Sequence, residues 1–327
     1  MRIVITGGAG FIGKKLAKAL LERGRLETAA GRQPIESLVL FDVVHAEGLP
    51  DDQRIQTVTG DITDADEVRR LIGDDTGGVY HLAAIVSADA EQNFDLGMAV
   101  NLGGTRNVLE ACRALPRPVR LVFASSVAVY GGDMPHTLDD GTILTPQTSY
   151  GMQKAASELL LNDYTRKGFV DGRALRLPTI VVRPGKPNKA ASTFASSIIR
   201  EPLAGQEAIC PVERDAEMYI LSPRRVVDAL IHAFELPVEA FGMTRMLTLP
   251  GITASIGAMV DALGAVAGNE VVRRIRWEPD PVIQKIVAGW PARFDARRAR
   301  AMGFEADASV TEIVRAHLED ELGGMVR

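Results

Sequence analysis

Aromatic residues make up only 5% of this 327-residue chain, and there are just two cysteines. No stretch reaches the roughly 18 uncharged apolar residues that a membrane-spanning helix needs. Cys112 and Cys210 stand in no metal-ligand spacing, which argues against a disulfide framework or a Cys-rich zinc site, so no metal is expected. Positive charge is also in short supply. Lys and Arg total 37 against 42 Asp and Glu, leaving a formal net charge of −5, whereas a nucleic-acid surface needs a basic stripe. The run Arg273-Arg274-Ile275-Arg276 is short and reads as a solvated face. Internal repeats, low-complexity tracts and flexible linkers are missing too. A strand opens at residue 2 with no charged leader before it, so a cytoplasmic location is expected. What remains is a 46% hydrophobic chain, enough for one large domain or two modest ones with real cores.

The first unit of pattern is a strand, a glycine loop and a helix. Arg2-Ile3-Val4-Ile5-Thr6 is a short β-branched run. Gly7-Gly8-Ala9-Gly10-Phe11-Ile12-Gly13 follows, and then Ile12, Leu16, Ala19 and Leu20 recur at helical spacing up to a stop at Gly24. Glycines in a strand-to-helix turn let the backbone approach a pyrophosphate, and the helix N-terminus offers free N–H groups. Gly8, Gly10 and Gly13 fit one dinucleotide spacing; Gly7, Gly10 and Gly13 fit another equally well. Ser37–Asp42 reads as the second strand. A carboxylate at its end can bind both ribose hydroxyls of NAD and would repel the 2′-phosphate of NADP. Asp42 lies further from Gly13 than the usual ~20 residues, and the polar stretch 25–36 accounts for the excess as an inserted loop. Arg32 in that stretch is the one residue that argues for a 2′-phosphate.

Further strands are expected at 55–58, leading to Gly60-Asp61-Ile62; at 78–82, leading to Ala83-Ala84; and at 119–123, leading to Ala124-Ser125-Ser126. A long helix carrying Asn101 is expected over 89–115. His81, between apolar neighbours, reads as a satisfied core residue. Alternating strands and helices predict an α/β fold, a doubly wound parallel Rossmann sheet whose ligand sits at the carboxyl ends of the strands. Tyr150 and Lys154 are four residues apart, on one face of an expected helix over 150–167. An ammonium beside a phenol favours the phenolate and draws its pKa down from about 10, toward the range of a general base.

Taken together, Thr6–Gly13, Asp61-Ile62, His81-Leu82-Ala83-Ala84, Ser125-Ser126-Val127-Ala128-Val129-Tyr130-Gly131 and Tyr150-x-x-x-Lys154 resemble the extended short-chain dehydrogenase/reductases, a group that includes nucleotide-sugar epimerases and dehydratases. The likeness spans nearly the whole chain and is strongest over residues 1–185. It implies NAD-dependent hydride transfer, with Tyr150 as acid/base, Lys154 lowering its pKa and binding the nicotinamide ribose, and Ser126 bonding the reacting oxygen. Ser125 would be structural. For the cofactor, the resemblance implies the Gly7/Gly10/Phe11/Ile12/Gly13 loop, Asp42, Asp61, Ile62, Leu82, Ala83, Ala84, Asn101, Tyr150, Lys154, Pro178 and Thr179.

Two segments depart from the sugar-nucleotide enzymes of that group. Asn-x-Tyr-Gly-Pro is replaced by Arg176-Leu177-Pro178-Thr179-Ile180-Val181-Val182-Arg183-Pro184-Gly185, and a Val-Asp-Asp context by Leu221-Ser222-Pro223-Arg224-Arg225-Val226-Val227. Residues 147–164, 168–173, 183–188, 191–194 and 200–203 resemble instead a subfamily that oxidises the C2 hydroxyl of a four-carbon sugar acid with NAD. A carboxylate substrate needs a forked cation, and Arg183, just past the sixth strand, is the first candidate; Lys186 is the second. Ser87, Thr148 and Asn188 are candidates for substrate hydroxyls, beside Ser126 and Tyr150. The expected organisation is an NAD-binding domain over 1–183 and a smaller substrate-binding domain over 184–327, with segments returning to the first. Helices are expected at 193–199, 255–266 and 311–322, and an edge strand near 246–249. The helices near 89–115 and 150–167 are candidates for a homodimer contact. The competing functions are an epimerase or dehydratase that keeps NAD bound, and a non-enzymatic cofactor sensor, against which the retained Ser126, Tyr150 and Lys154 argue.

Overall fold

The computed structural model describes residues 1–185 and 191–326. They form two compact units, one of residues 1–129, 148–176 and 227–247, the other of residues 130–147, 177–226 and 248–327.

The first unit is built on a seven-stranded sheet. Its strands are β1 (Arg2–Thr6), β2 (Ser37–Asp42), β3 (Ile55–Thr59), β4 (Thr76–His81), β5 (Arg120–Ser126), β6 (Asp171–Leu177) and β7 (Met246–Thr248). They lie in the order β7-β6-β5-β4-β1-β2-β3. The β1/β2, β1/β4, β2/β3 and β4/β5 pairs are all parallel. The order reverses at β1 and β4, so the crevice between their carboxyl ends is the switch point where such sheets bind ligands. Ile3, Val4, Ile5, Leu38, Val39, Val79, Leu121 and Val122 are all buried. Fully burying each such side chain contributes roughly 1.5–3 kcal/mol, which is why these strands read as continuous apolar runs.

Helix α1 (Phe11–Arg23) buries Leu16, Ala17, Leu20 and Leu21, and Gly24 closes it in the left-handed conformation at φ 69°. Two further helices of this unit are α2 (Gly104–Arg113) and α3 (Ser149–Arg166).

Three expectations are corrected. The polar stretch 25–36 is no loop: Arg25–Thr28 and Gly31–Pro34 pair as an antiparallel hairpin. One apolar residue at each end, Leu26 and Ile35, is buried and pins it. The single helix over 89–115 is broken into Ser87–Gln92, Phe94–Gly97, a π-helical turn over Met98–Gly103, and α2. The first break falls at Asn93, whose side chain caps the next segment by accepting from Leu96 N–H, a role that draws asparagine out of helix interiors. The sixth strand does not run to Arg183. It stops at Leu177 because Pro178 has no N–H to donate, and Thr179–Ile180 joins a different sheet.

That second sheet belongs to the second unit. It has three strands, Ile252–Ser255, Glu217–Leu221 and Thr179–Ile180, in that order. Helices Thr193–Leu203, Ile256–Ala267 and Val310–Leu322 pack Ile198, Leu203, Met259, Leu263, Ile313 and Val314 into the core beside it. The expected edge strand near 246–249 is β7, at the end of the first sheet.

Candidate active site

The glycine loop has the geometry of a dinucleotide cradle. Gly7 sits at φ +72°, and a Cβ there would lie 2.7 Å from the backbone N of Ala83. Only glycine fits, and the chain after β1 therefore rests directly on the Leu82-Ala83 turn after β4. Gly13, in the first turn of α1, would drive a Cβ to 2.8 Å from Gly8 Cα. Gly10 caps α1 without a side-chain bond, so the first N–H groups of the helix, those of Phe11 and Ile12 among them, face the loop without a capping partner. Such a terminus suits a pyrophosphate.

Asp42 ends β2 beside this loop. Its two carboxylate oxygens accept from Ala9 N (3.0 Å) and Val43 N (2.8 Å), which fixes the group while leaving lone pairs for a diol. Arg32, the residue that would speak for a 2′-phosphate, is engaged elsewhere: its Nε donates to Glu27 Oε1 at 2.6 Å within the hairpin. The residues present thus fit NAD. Asp61 accepts from Thr63 N through Oδ1, and Ile62 is buried against Gly104 at the start of α2.

Asn101 lies in the π-helical turn and is buried. Its Oδ1 accepts from Ile85 N (2.9 Å), while Nδ2 donates to Ile85 O (3.2 Å) and Gln153 Oε1 (2.8 Å). In this structure it ties the Ala83-Ala84-Ile85 turn to α3. His81 is likewise a structural group. Its ring nitrogens meet Thr6 Oγ1 (2.7 Å) and Thr105 Oγ1 (2.9 Å), and burial pushes its pKa down to about 3.

Helix α3 holds Tyr150 and Lys154. Thr148 caps it by accepting from Gly151 N at 3.1 Å, and Ser149 N donates to Glu91 Oε2 at 2.8 Å. Those two contacts fix where the helix starts, and so where Tyr150 stands in its first turn. Lys154, one turn on, is 2% exposed. Its Nζ donates to Ala124 O at 2.8 Å, lies 4.6 Å from the centre of the Phe123 ring and 5.7 Å from that of Tyr150. Burial pushes its pKa down to about 7, partly opposed by Glu158. An ammonium so placed has little water to screen it, and its field falls on the phenol. Ser126 is the last residue of β5, half-buried, its Oγ accepting from Ala128 N at 3.1 Å. Ser126, Tyr150 and Lys154 thus come from the end of β5 and the first turns of α3, the glycine loop and Asp42 from β1 and β2, all in the first unit.

Other expected residues lie as follows. Ser87 is half-buried at the first position of its short helix. Pro178 is buried and Thr179 half-buried, in the second unit. So is Arg183, half-buried, with Nη2 donating to Ser192 Oγ at 2.8 Å and its backbone N to Ser196 Oγ at 3.0 Å. Lys186 and Asn188 lie outside the described residues.

Glu158 and Arg176 escaped the sequence reading. Glu158 is wholly buried on α3; Arg176, at 6% exposed on β6, donates to it through Nε (3.0 Å to Oε1) and Nη2 (2.7 Å to Oε2). Ser125 Oγ adds a third partner at 2.6 Å to Oε1. One signal could have found the pair: Glu158 continues the Tyr150/Lys154 spacing by one more turn of the same helix.

Among the described residues no helix is long and apolar enough to cross a membrane, and no group of three His, Cys, Asp or Glu residues could hold a metal. Residues 3–241 match the NAD dependent epimerase/dehydratase family. The chain is 53% identical over 320 residues to the D-erythronate dehydrogenase of Cupriavidus necator, covering 98% of both. It is 44% identical to the D-erythronate dehydrogenase of Haemophilus influenzae, over 98% of this chain and 100% of the relative. Among solved structures it is similar to the nucleoside-diphosphate-sugar epimerase from Agrobacterium tumefaciens, with TM-score 0.94, 43% identity, and 100% and 96% of the two chains covered.

Proposed function

Because the chain belongs to the NAD dependent epimerase/dehydratase family, we propose that it oxidises the C2 hydroxyl of a small sugar acid, D-erythronate, to the 2-dehydro acid. It is an NAD-dependent oxidoreductase, and NAD is its cofactor. The observation that carries the substrate is the similarity, over 98% of this chain, to two proteins named D-erythronate dehydrogenase. The buried Lys154 beside Tyr150 supports the choice of base.

In this reading Ser126 hydrogen-bonds the C2 oxygen. Tyr150, as phenolate, takes the hydroxyl proton, and the carbinol C–H bond breaks as the C=O bond forms. The hydride released from that carbon would pass to NAD, which would supply the acceptor when bound. Lys154 stabilises the phenolate, and the glycine loop, the α1 N-terminus and Asp42 hold the dinucleotide. In the reverse direction Tyr150 returns the proton to the alkoxide. Arg183 is assigned to the substrate carboxylate. Ser87, Thr148 and Asn188 are assigned to its hydroxyls, and a cytoplasmic location and a homodimer belong to the same reading.

The name of the Agrobacterium structure keeps a second reading in play: an epimerase that returns the hydride to its product. One assay separates them. Incubation with free NAD and D-erythronate should give a rising NADH absorbance, reduced by about 10²–10⁴-fold in Tyr150→Phe, the usual worth of a positioned acid/base. No NADH signal together with turnover of a nucleotide sugar would favour the epimerase, and full turnover by Tyr150→Phe would remove Tyr150 from the chemistry.

A further inference from the structure

Beneath the proposed Ser126/Tyr150/Lys154 site lies a second polar cluster. Glu158 and Arg176 form an ion pair with side chains 0% and 7% exposed, and Ser125 donates its hydroxyl into it. A buried ion pair is a poor device for stability alone, since apolar side chains of similar volume often serve as well. Its placement suggests another use. Ala124 and Ser125 are consecutive residues at the end of β5. The carbonyl of Ala124 is held by Lys154, and the hydroxyl of Ser125 by Glu158, both from one face of α3. Ser126 is the next residue. The strand end that presents Ser126 is therefore fastened at two successive points to the helix that presents Tyr150.

We propose that Glu158, with Arg176 and Ser125, is a positioning residue for the hydride-transfer site: it sets the register of Ser126 against α3 and places a carboxylate one helical turn from Lys154. Arg176 orients the carboxylate with a forked donor, the geometry in which arginine fixes an acid. The groups around Lys154 are few. From α3 they are Tyr150 and Glu158, from β5 the Phe123 ring and the Ala124 carbonyl, and from β4 His81, which burial keeps neutral. Arg176 reaches the cluster from β6 through Glu158. Among them Glu158 is the anion; its charge opposes the loss of the Lys154 proton that burial promotes.

This inference rests on the reading of Ser126, Tyr150 and Lys154 as the catalytic group, which Tyr150→Phe tests by itself. Two variants test the cluster. Glu158→Gln keeps the shape and removes the charge. Its kcat should fall about 100-fold, the usual cost of a small misplacement, with KM for NAD and for the acid unchanged within about twofold. The falling limb of its pH profile, where Lys154 loses its proton, should move down by about one pH unit. Ser125→Ala removes the tether and keeps the charge, so its kcat should fall about tenfold with the pH profile unmoved. It deletes only a hydroxyl, so it still decides the tether if Glu158→Gln does not fold. Native kcat in Ser125→Ala, or a native pH profile in a folded Glu158→Gln, would overturn the proposal while leaving the Tyr150 assignment standing.

Discussion

The Lys154 ammonium lies 5.7 Å from the centre of the Tyr150 ring, on a side chain that is 2% exposed. The same burial that makes it useful to the phenol makes it expensive to the fold. Its pKa is pushed down to about 7 from the ordinary 10.5, first by desolvation.

A stability prediction follows from that shift. Between about pH 7 and the ordinary lysine value of 10.5 the unfolded chain binds a proton that the folded chain has released. Stability from this group therefore rises with pH across that window, and below it the buried charge is a constant cost. Lys154→Met removes the charge and keeps the volume. Its Tm, measured on the cofactor-free protein, should match or exceed that of the native protein at pH 6. The advantage should shrink as the pH climbs through 7 toward 10. Activity should meanwhile fall by about 10²–10⁴-fold. A lower Tm at pH 6 would mean that Lys154 is held by interactions stronger than its desolvation.

Asp42 offers a test on the cofactor side. Its carboxylate is pinned by two backbone N–H groups at the end of β2, and Arg32 of the hairpin is paired with Glu27. Hydrogen bonds to a charged group are worth about 1.5–3 kcal/mol, so Asp42→Ala should raise KM for NAD about tenfold or more. It should also narrow the preference over NADP, because the repulsion of a 2′-phosphate is lost. Initial rates with both cofactors measure this directly. An unchanged KM for NAD would take the ribose away from Asp42.

The sequence was legible where local rules act alone. Strands β1 and β2 lie where apolar runs place them, and Gly24 ends α1 as glycine does at helix stops. Tyr150 and Lys154 share a face of α3 because their spacing dictates it. It was less legible where one residue overrides a pattern. Pro178 ends β6 inside an apolar run, and Asn93 breaks a helix whose apolar spacing continues past it. Least legible was the buried cluster. Glu158 looks like a solvated helix residue until α3 is laid on β5 and β6, because the Ser125 and Arg176 that satisfy it are far away in sequence. Asn101 carries the same lesson. Its amide bonds Ile85 and Gln153, which braces the turn after β4 against α3, a role that its sequence neighbours do not signal.

The remaining prediction concerns the substrate's carboxylate. The Arg183 backbone is held without help from its own side chain: its N–H bonds Ser196 Oγ at 3.0 Å, and its carbonyl accepts from Arg200 Nη1 at 2.6 Å. Truncating the side chain should therefore leave the fold intact. The guanidinium donates to Ser192 Oγ through Nη2, which orients it. Arg183→Ala should then raise KM for the sugar acid about tenfold or more, the cost of a charge-assisted pair, with KM for NAD unchanged within about twofold. Arg183→Lys should fall between the two, because a point charge replaces a fork. If KM for the acid does not move, the carboxylate is bound elsewhere, and Lys186 becomes the residue to change next.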